Sequence, residues 1–196
     1  MSDVLDGDRR AVETTVGIVG KVGRDDLDRP TPCAGWTLGT LLAHMIGQHY
    51  GFAAAAEGHS QDPAVFADRP VGDRAAADYE ASARRVIEAF STPGLLEGTM
   101  YLPEVRGGMS LPATTAIGFH LVDYVAHGWD VAKSLGIAAD FAPDVVQAAL
   151  TVAEGVPEEA KGSDARLPFR PSVPTSSTDL LDRVVATLGR DPDWTP

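Results

Sequence analysis

The sequence predicts an all-α chain, an antiparallel four-helix bundle with a small C-terminal helical extension. Three observations carry this. Four segments place apolar residues at three- and four-residue steps, the period of a helix with one buried stripe. Glycines stand where the second and fourth stripes stop, Gly58 and Gly136, at the position after a helix where a left-handed residue is favoured. No run of strictly alternating residues competes with them. The 196 residues suffice for one substantial core plus an appendage. Because the pattern changes after Gly136, residues 1–136 are expected to form the bundle and residues 137–196 an extension packed on it.

The first helix is expected between Asp3 and Val22, on a stripe of Leu5, Val12, Val16, Val19 and Val22, and "GRDDLDRPTPCAG" breaks it. The second runs from Leu38 to Glu57, with Thr37 as its N-cap and Trp36 and Leu41 at the positions of a hydrophobic staple. Residues 60–72 read as a loop, after which Tyr79, Ala83, Val86, Ile87 and Phe90 mark a third helix that stops near "STPG". "LLEGTMYLPEVRGGMS" is a connection with a short extended stretch at Met100 to Leu102. The fourth helix runs from Pro112 to Leu135. Beyond it, Pro143 opens a helix striped by Val145, Val146, Ala149 and Leu150 and closed by Gly155. "VPEEAKGSDARLPFRPSVPTSS" has no regular pattern, and "STDLLDRVVATLG" forms the last helix on Leu180, Leu181, Val184, Val185 and Leu188.

Composition excludes several function classes. Hydrophobic residues make up 44% and charged residues 22%, and no apolar run approaches the ~20 residues that span a bilayer. The N-terminus lacks the apolar region of a secretory signal, so a cytoplasmic location is expected and no membrane partner. A single cysteine, Cys33, can form no internal disulfide and no thiolate cluster, so any metal must use histidine and carboxylate. The net charge of −12, with no basic stripe, excludes nucleic acid as a partner.

The stretch "GFHLVDYVAHGWD" sets two histidines and a carboxylate into an apolar helix. Helical spacing brings His120, Asp123 and His127 within about 60° of one another around the axis. Asp123 and His127 stand at i and i+4, the spacing that points two ligands into one volume. A third ligand would come from a facing helix, and His44 in "LLAHMIGQH" lies on the core side of its own. Two imidazoles and a carboxylate with an open position suit Zn²⁺ and also non-haem Fe²⁺. The same residues equally form a metal-free network of mutual hydrogen bonds, and spacing alone leaves both readings open. His120 is a fourth ligand or, preferably, a pocket-lining residue. Asp130 either orients an imidazole or anchors the chain near the helix end. His49 and His59 are expected at the surface or a cavity rim, Trp36 and Trp129 as core anchors, and Cys33 as packed and inert.

"TPCAGWTLGTLLAHMIGQ", "GFHLVDYVAHGWDVAKSLG" and the closing "LPFRPSVP" and "LLDRVVATLGRDPDW" resemble the actinobacterial metal-binding proteins related to mycothiol-dependent maleylpyruvate isomerase, within the DinB-like superfamily. The resemblance covers nearly the whole chain. It implies a four-helix bundle holding a divalent metal, zinc first with Fe²⁺ or Ni²⁺ as alternatives, between the second and fourth helices. It implies His44, Asp123 and His127 as ligands, with Asp123 standing where the isomerase has a glutamate one methylene longer. The implied partners are a small-molecule thiol such as mycothiol and an electrophilic substrate, in a transferase or isomerase reaction with the metal activating the thiol. His120 would be a proton acceptor or substrate contact, and a homodimer is compatible with the family. The tail differs from the isomerase's own, so maleylpyruvate is not implied as substrate. The alternative function is a non-catalytic metal or small-ligand binding protein of the same fold.

Overall fold

A computed structural model describes residues 4–105, 107–157, 161–162 and 169–196. The first four helices are α1 (Val4–Val19), α2 (Leu38–Ala56), α3 (Ala75–Phe90) and α4 (Ala113–Leu135). Thr37 caps α2 as expected, its hydroxyl accepting from the Thr40 backbone N–H at 3.2 Å. Gly136 ends α4 in the left-handed conformation (φ 69°), so the last turn closes without the Cβ clash another residue would bring. α1 packs on α4 and α3, and α2 on α3 and α4, so each long helix lies between two others.

The structure is mostly helical, and the all-α expectation needs one addition. The extended stretch at Met100 is half of a hairpin: β1 (Thr99–Leu102) pairs antiparallel with β2 (Met109–Pro112), Met100 opposite Leu111 and Tyr101 opposite Ser110. Met100 and Leu102 are buried and pack in a cluster with Phe52, Phe66, Phe90 and Ile117. Their partner strand was missed because it is short and ends in a proline, which gives no period to read. The turn between the strands carries Glu104. At Gly108 (φ 112°) a Cβ would lie 2.1 Å from the Tyr101 hydroxyl, so only glycine allows that hydroxyl to approach.

The C-terminal helices α5 (Pro143–Glu154) and α6 (Leu180–Thr187) do not form a separate core. α5 packs on α4 and α1 and α6 on α5, and Val145, Leu150, Val184 and Leu188 belong to the same apolar cluster as Leu41, Met45 and Val125. Much of the Pro-rich stretch between α5 and α6 lies outside the described residues. After Leu188 the chain turns at Gly189 and points Arg190 inward. No helix among the described residues is long and apolar enough to cross a membrane.

Candidate metal centre

α2 and α4 run in opposite directions, so residues ascending one helix meet residues descending the other. His44 therefore faces His127, with ring centroids 5.5 Å apart at a steep 77°. Asp123, one turn before His127, sets Oδ1 3.3 Å from His127 Nε2. One ligand atom from each of His44, Asp123 and His127 lies within 4.8 Å of the other two. The expected trio thus converges on one volume, which is reached from the surface, since His44 and Asp123 remain about one-fifth exposed.

The other nitrogen of His127 is held from behind. Nδ1–H donates to Asp130 Oδ2 at 2.9 Å, which places the ring's second nitrogen toward Asp123. Asp130 thereby orients the imidazole, the first of its two expected roles. The same carboxylate is fully buried and accepts from Arg190 Nη2 (3.1 Å), from Arg190 Nε (3.4 Å) and from the Cys33 thiol (3.1 Å). A carboxylate behind a ligating histidine fixes tautomer and ring orientation and raises basicity. Cys33, His127 and Asp130 also lie within metal-binding distance of one another. With both Asp130 oxygens engaged by Arg190, that second grouping has a poorer claim on a cation.

Burial acts on every charge here, and the neighbours decide the outcome. It pushes the Asp123 carboxyl up, but the adjacent His127, and then His44 and Arg190, bring it well below the usual carboxylate range. Burial pulls His127 down, yet Asp123 and Asp130 with their hydrogen bonds hold its imidazole protonated well above the ordinary value. His44 moves the other way: burial, then the charge on His127, keep it neutral against the weaker pull of Asp123 and Asp68. The charges of Asp123 and His127 thus favour each other, while His44 is disfavoured as a cation beside them.

Three further elements form the mouth. Trp36 is half-buried over the two rings, 5.0 Å from His44 and stacked on His127 at 6.4 Å, so it covers the cluster where a core anchor was expected. The loop after α2 lies directly on that helix because Gly47 and Gly51 present no side chain. A Cβ on Gly47 would meet the Ala67 carbonyl oxygen at 2.6 Å, and one on Gly51 the Phe66 ring at 2.1 Å. This approach, with Arg69 N–H donating to the Ala43 carbonyl at 3.0 Å, delivers Asp68 to His44, Oδ1 to Nδ1 3.3 Å. From the hairpin turn, Glu104 accepts from the amide of buried Gln48 at 3.1 Å, one helical turn beyond His44. Burial first, then the charges of Asp123 and Asp68, push the Glu104 carboxyl up against the effect of the Gln48 hydrogen bond.

His120 is not part of the trio. It is fully buried, donates Nδ1–H to Asp8 of α1 at 2.6 Å, and packs against Phe52, Phe90 and Tyr124. A ring sealed in the core has no path to take a proton from a substrate at the cluster, which removes the catalytic role expected for it. His49, expected at the surface or a rim, is also fully buried, bonded to Ser82 at 2.8 Å and stacked on Tyr124 at 4.2 Å. These two rings, 5.7 Å apart, form a second histidine layer below the first. His59 is exposed. Sequence reasoning missed Asp68, Glu104, Gln48 and Arg190, each brought in from another element with no local period to announce it.

Residues 9–132 match the family described as mycothiol maleylpyruvate isomerase N-terminal domain. Two relatives from Mycobacterium tuberculosis, the uncharacterized proteins MT0763 (strain CDC 1551 / Oshkosh) and Rv0738 (strain ATCC 25618 / H37Rv), are each 29% identical over 96% of this chain and 98% of their own. The crystal structure of the mycothiol-dependent maleylpyruvate isomerase superposes with a TM-score of 0.60 at 16% identity, covering 81% of this chain and 68% of that one. A histidine-to-alanine mutant of that isomerase gives 0.62 at 14% with the same coverage. At such identities the superpositions establish a shared fold. With the family match spanning well over half of its length, the chain belongs to the mycothiol maleylpyruvate isomerase N-terminal domain family.

Proposed function

We propose that His44, Asp123 and His127 hold a divalent cation, zinc first, and that the protein uses it in a thiol-dependent transferase or isomerase reaction of the mycothiol type on a small electrophile. The observation that carries this is the convergence of the three ligand atoms within 4.8 Å, with the far nitrogen of His127 anchored on a buried carboxylate. The donor set fits the ion: two imidazoles and one carboxylate leave a coordination position open, as catalytic zinc requires. When bound, such a cation supplies a positive charge that keeps a thiol in its nucleophilic thiolate form at neutral pH. The family supports a thiol as co-reactant. In this reading the bundle of residues 1–136 is DinB-like, and residues 137–196 complete its centre through Arg190.

The chain's own groups prepare the site. His44 is neutral and offers a lone pair without first losing a proton. His127 gives up the proton on Nε2 while Asp130 retains the one on Nδ1, so its orientation survives the change. Asp123 is already ionised. Arg190 balances Asp130, so that carboxylate stays behind His127 and does not compete as a ligand. Trp36 shields the two imidazoles from water. His120 and His49 support the register of α2 on α4 and take no part in the reaction.

Metal analysis of protein purified without a histidine tag tests the first half, with stoichiometric zinc expected in the wild type and little after His44→Ala. The second half requires turnover of an electrophile only when a thiol is supplied, lost on adding chelator and regained with zinc. Metal without thiol-dependent turnover across a panel of electrophiles would reduce the function to binding.

A further inference from the structure

Two carboxylates stand at the mouth of the cluster and neither is a proposed ligand. Asp68 is held on His44 by the loop that lies across Gly47 and Gly51, and Glu104 is held by the amide of Gln48. They come from different loops and are fixed by different partners. After His127 and His44, the charge that reaches Asp123 is the guanidinium of Arg190. That guanidinium is already spent: it donates to both oxygens of Asp130 and to the Leu188 carbonyl, and its side chain is 8% exposed.

We infer that Asp68 and Glu104 make this site selective by charge, admitting neutral or cationic small molecules and disfavouring those that carry carboxylates. The inference rests on the metal and thiol reading above. Asp68 and Glu104 add two carboxylates at the mouth to that of the ligand Asp123, so a molecule entering the site passes negative charge first. A bound thiolate adds to that. An incoming carboxylate meets like charge at the mouth; among the described residues, the Arg190 guanidinium is committed to Asp130 and that of Arg69 lies over the Tyr50 ring, so neither is placed to form the bidentate pair that usually recognises it. The Asp68 and Glu104 side chains are partly in water, so the penalty is moderate and falls with salt.

The test uses the full chain loaded with Co²⁺, whose thiolate charge-transfer absorption reports thiol binding without turnover. Three thiols are titrated at low salt: 2-mercaptoethanol (neutral), cysteamine (cationic) and mercaptosuccinate (dianionic). They are compared between the wild type and the Asp68→Asn, Glu104→Gln double variant, which keeps shape and hydrogen-bonding oxygens. Mercaptosuccinate is expected to bind the variant roughly tenfold more tightly than the wild type, 2-mercaptoethanol equally, and cysteamine more weakly, both differences shrinking at 0.5 M salt. Equal mercaptosuccinate affinity in the two proteins overturns the charge selection while leaving the metal and thiol reading standing. Absence of the absorption band with all three thiols overturns that reading, and this inference with it.

Discussion

Replacing Asp130 by Asn keeps the size of a fully buried side chain and removes its charge. The structure sets the consequence. Arg190 donates to both carboxylate oxygens, and breaking one partner of such a buried pair costs about 3–5 kcal/mol because the remaining charge is left uncompensated. The same change weakens the grip on His127 Nδ1, and loss of a carboxylate behind a ligating histidine lowers metal affinity about 10- to 100-fold. Urea unfolding of the metal-free protein reads the first effect and competition with a chromophoric zinc chelator reads the second. Adding Arg190→Met separates them: with no cation stranded, most of the lost stability returns, while zinc affinity stays low because His127 is still unheld. A stability loss under about 1 kcal/mol in the single variant, or unchanged zinc affinity, would refute the reasoning.

Asp123→Asn replaces an anionic oxygen with a neutral one, and each tenfold loss of zinc affinity removes about 1.4 kcal/mol of metal-induced stabilisation. The melting shift on adding zinc should shrink relative to the wild type, and equal shifts would remove Asp123 from the ligand set. His49 is held neutral by burial, then by His120, so the unfolded chain takes up a proton near pH 6.5 that the folded chain resists. Its contribution is therefore complete above that pH and is lost as pH falls. Below pH 6.5 the wild type should lose stability faster than His49→Phe, the excess slope approaching about 1.4 kcal/mol per pH unit near pH 5, and parallel urea-derived curves would contradict this. Gly47→Ala drives a methyl toward the Ala67 carbonyl oxygen at 2.6 Å. Crowding of about 1–3 kcal/mol should exceed the gain of about 1 kcal/mol in helix propensity, so this variant should unfold at lower urea.

Local chemistry made the helices legible. Thr37 and Gly136 bound α2 and α4 where a cap and a left-handed residue are needed, and the i,i+4 pair with a facing His44 followed from period alone. What was not legible depended on encounters between elements. His49 lies five residues after His44, which rotates it to another side of α2, a side that in an ordinary surface helix would face water. α2 is buried on nearly every side by α3, α4 and the loop on its glycines, so that rule failed here. Arg190 follows a short helix near the end of the sequence, with nothing beside it to indicate a buried partner sixty residues earlier. Glu104 reads as an ordinary turn residue until the hairpin sets it against Gln48.

The two histidine layers act together as a two-pin lock on how α2 slides along α4. His44 and His49 are separated by roughly 7.5 Å of helix rise and His127 and His120 by roughly 10.5 Å, and both pairs close only at one longitudinal offset. Removing a single residue between His44 and His49 would swing one imidazole about 100° around the axis, leaving at most one pin engaged. A substitution in this part of α2 can leave that offset intact, whereas a change of length cannot.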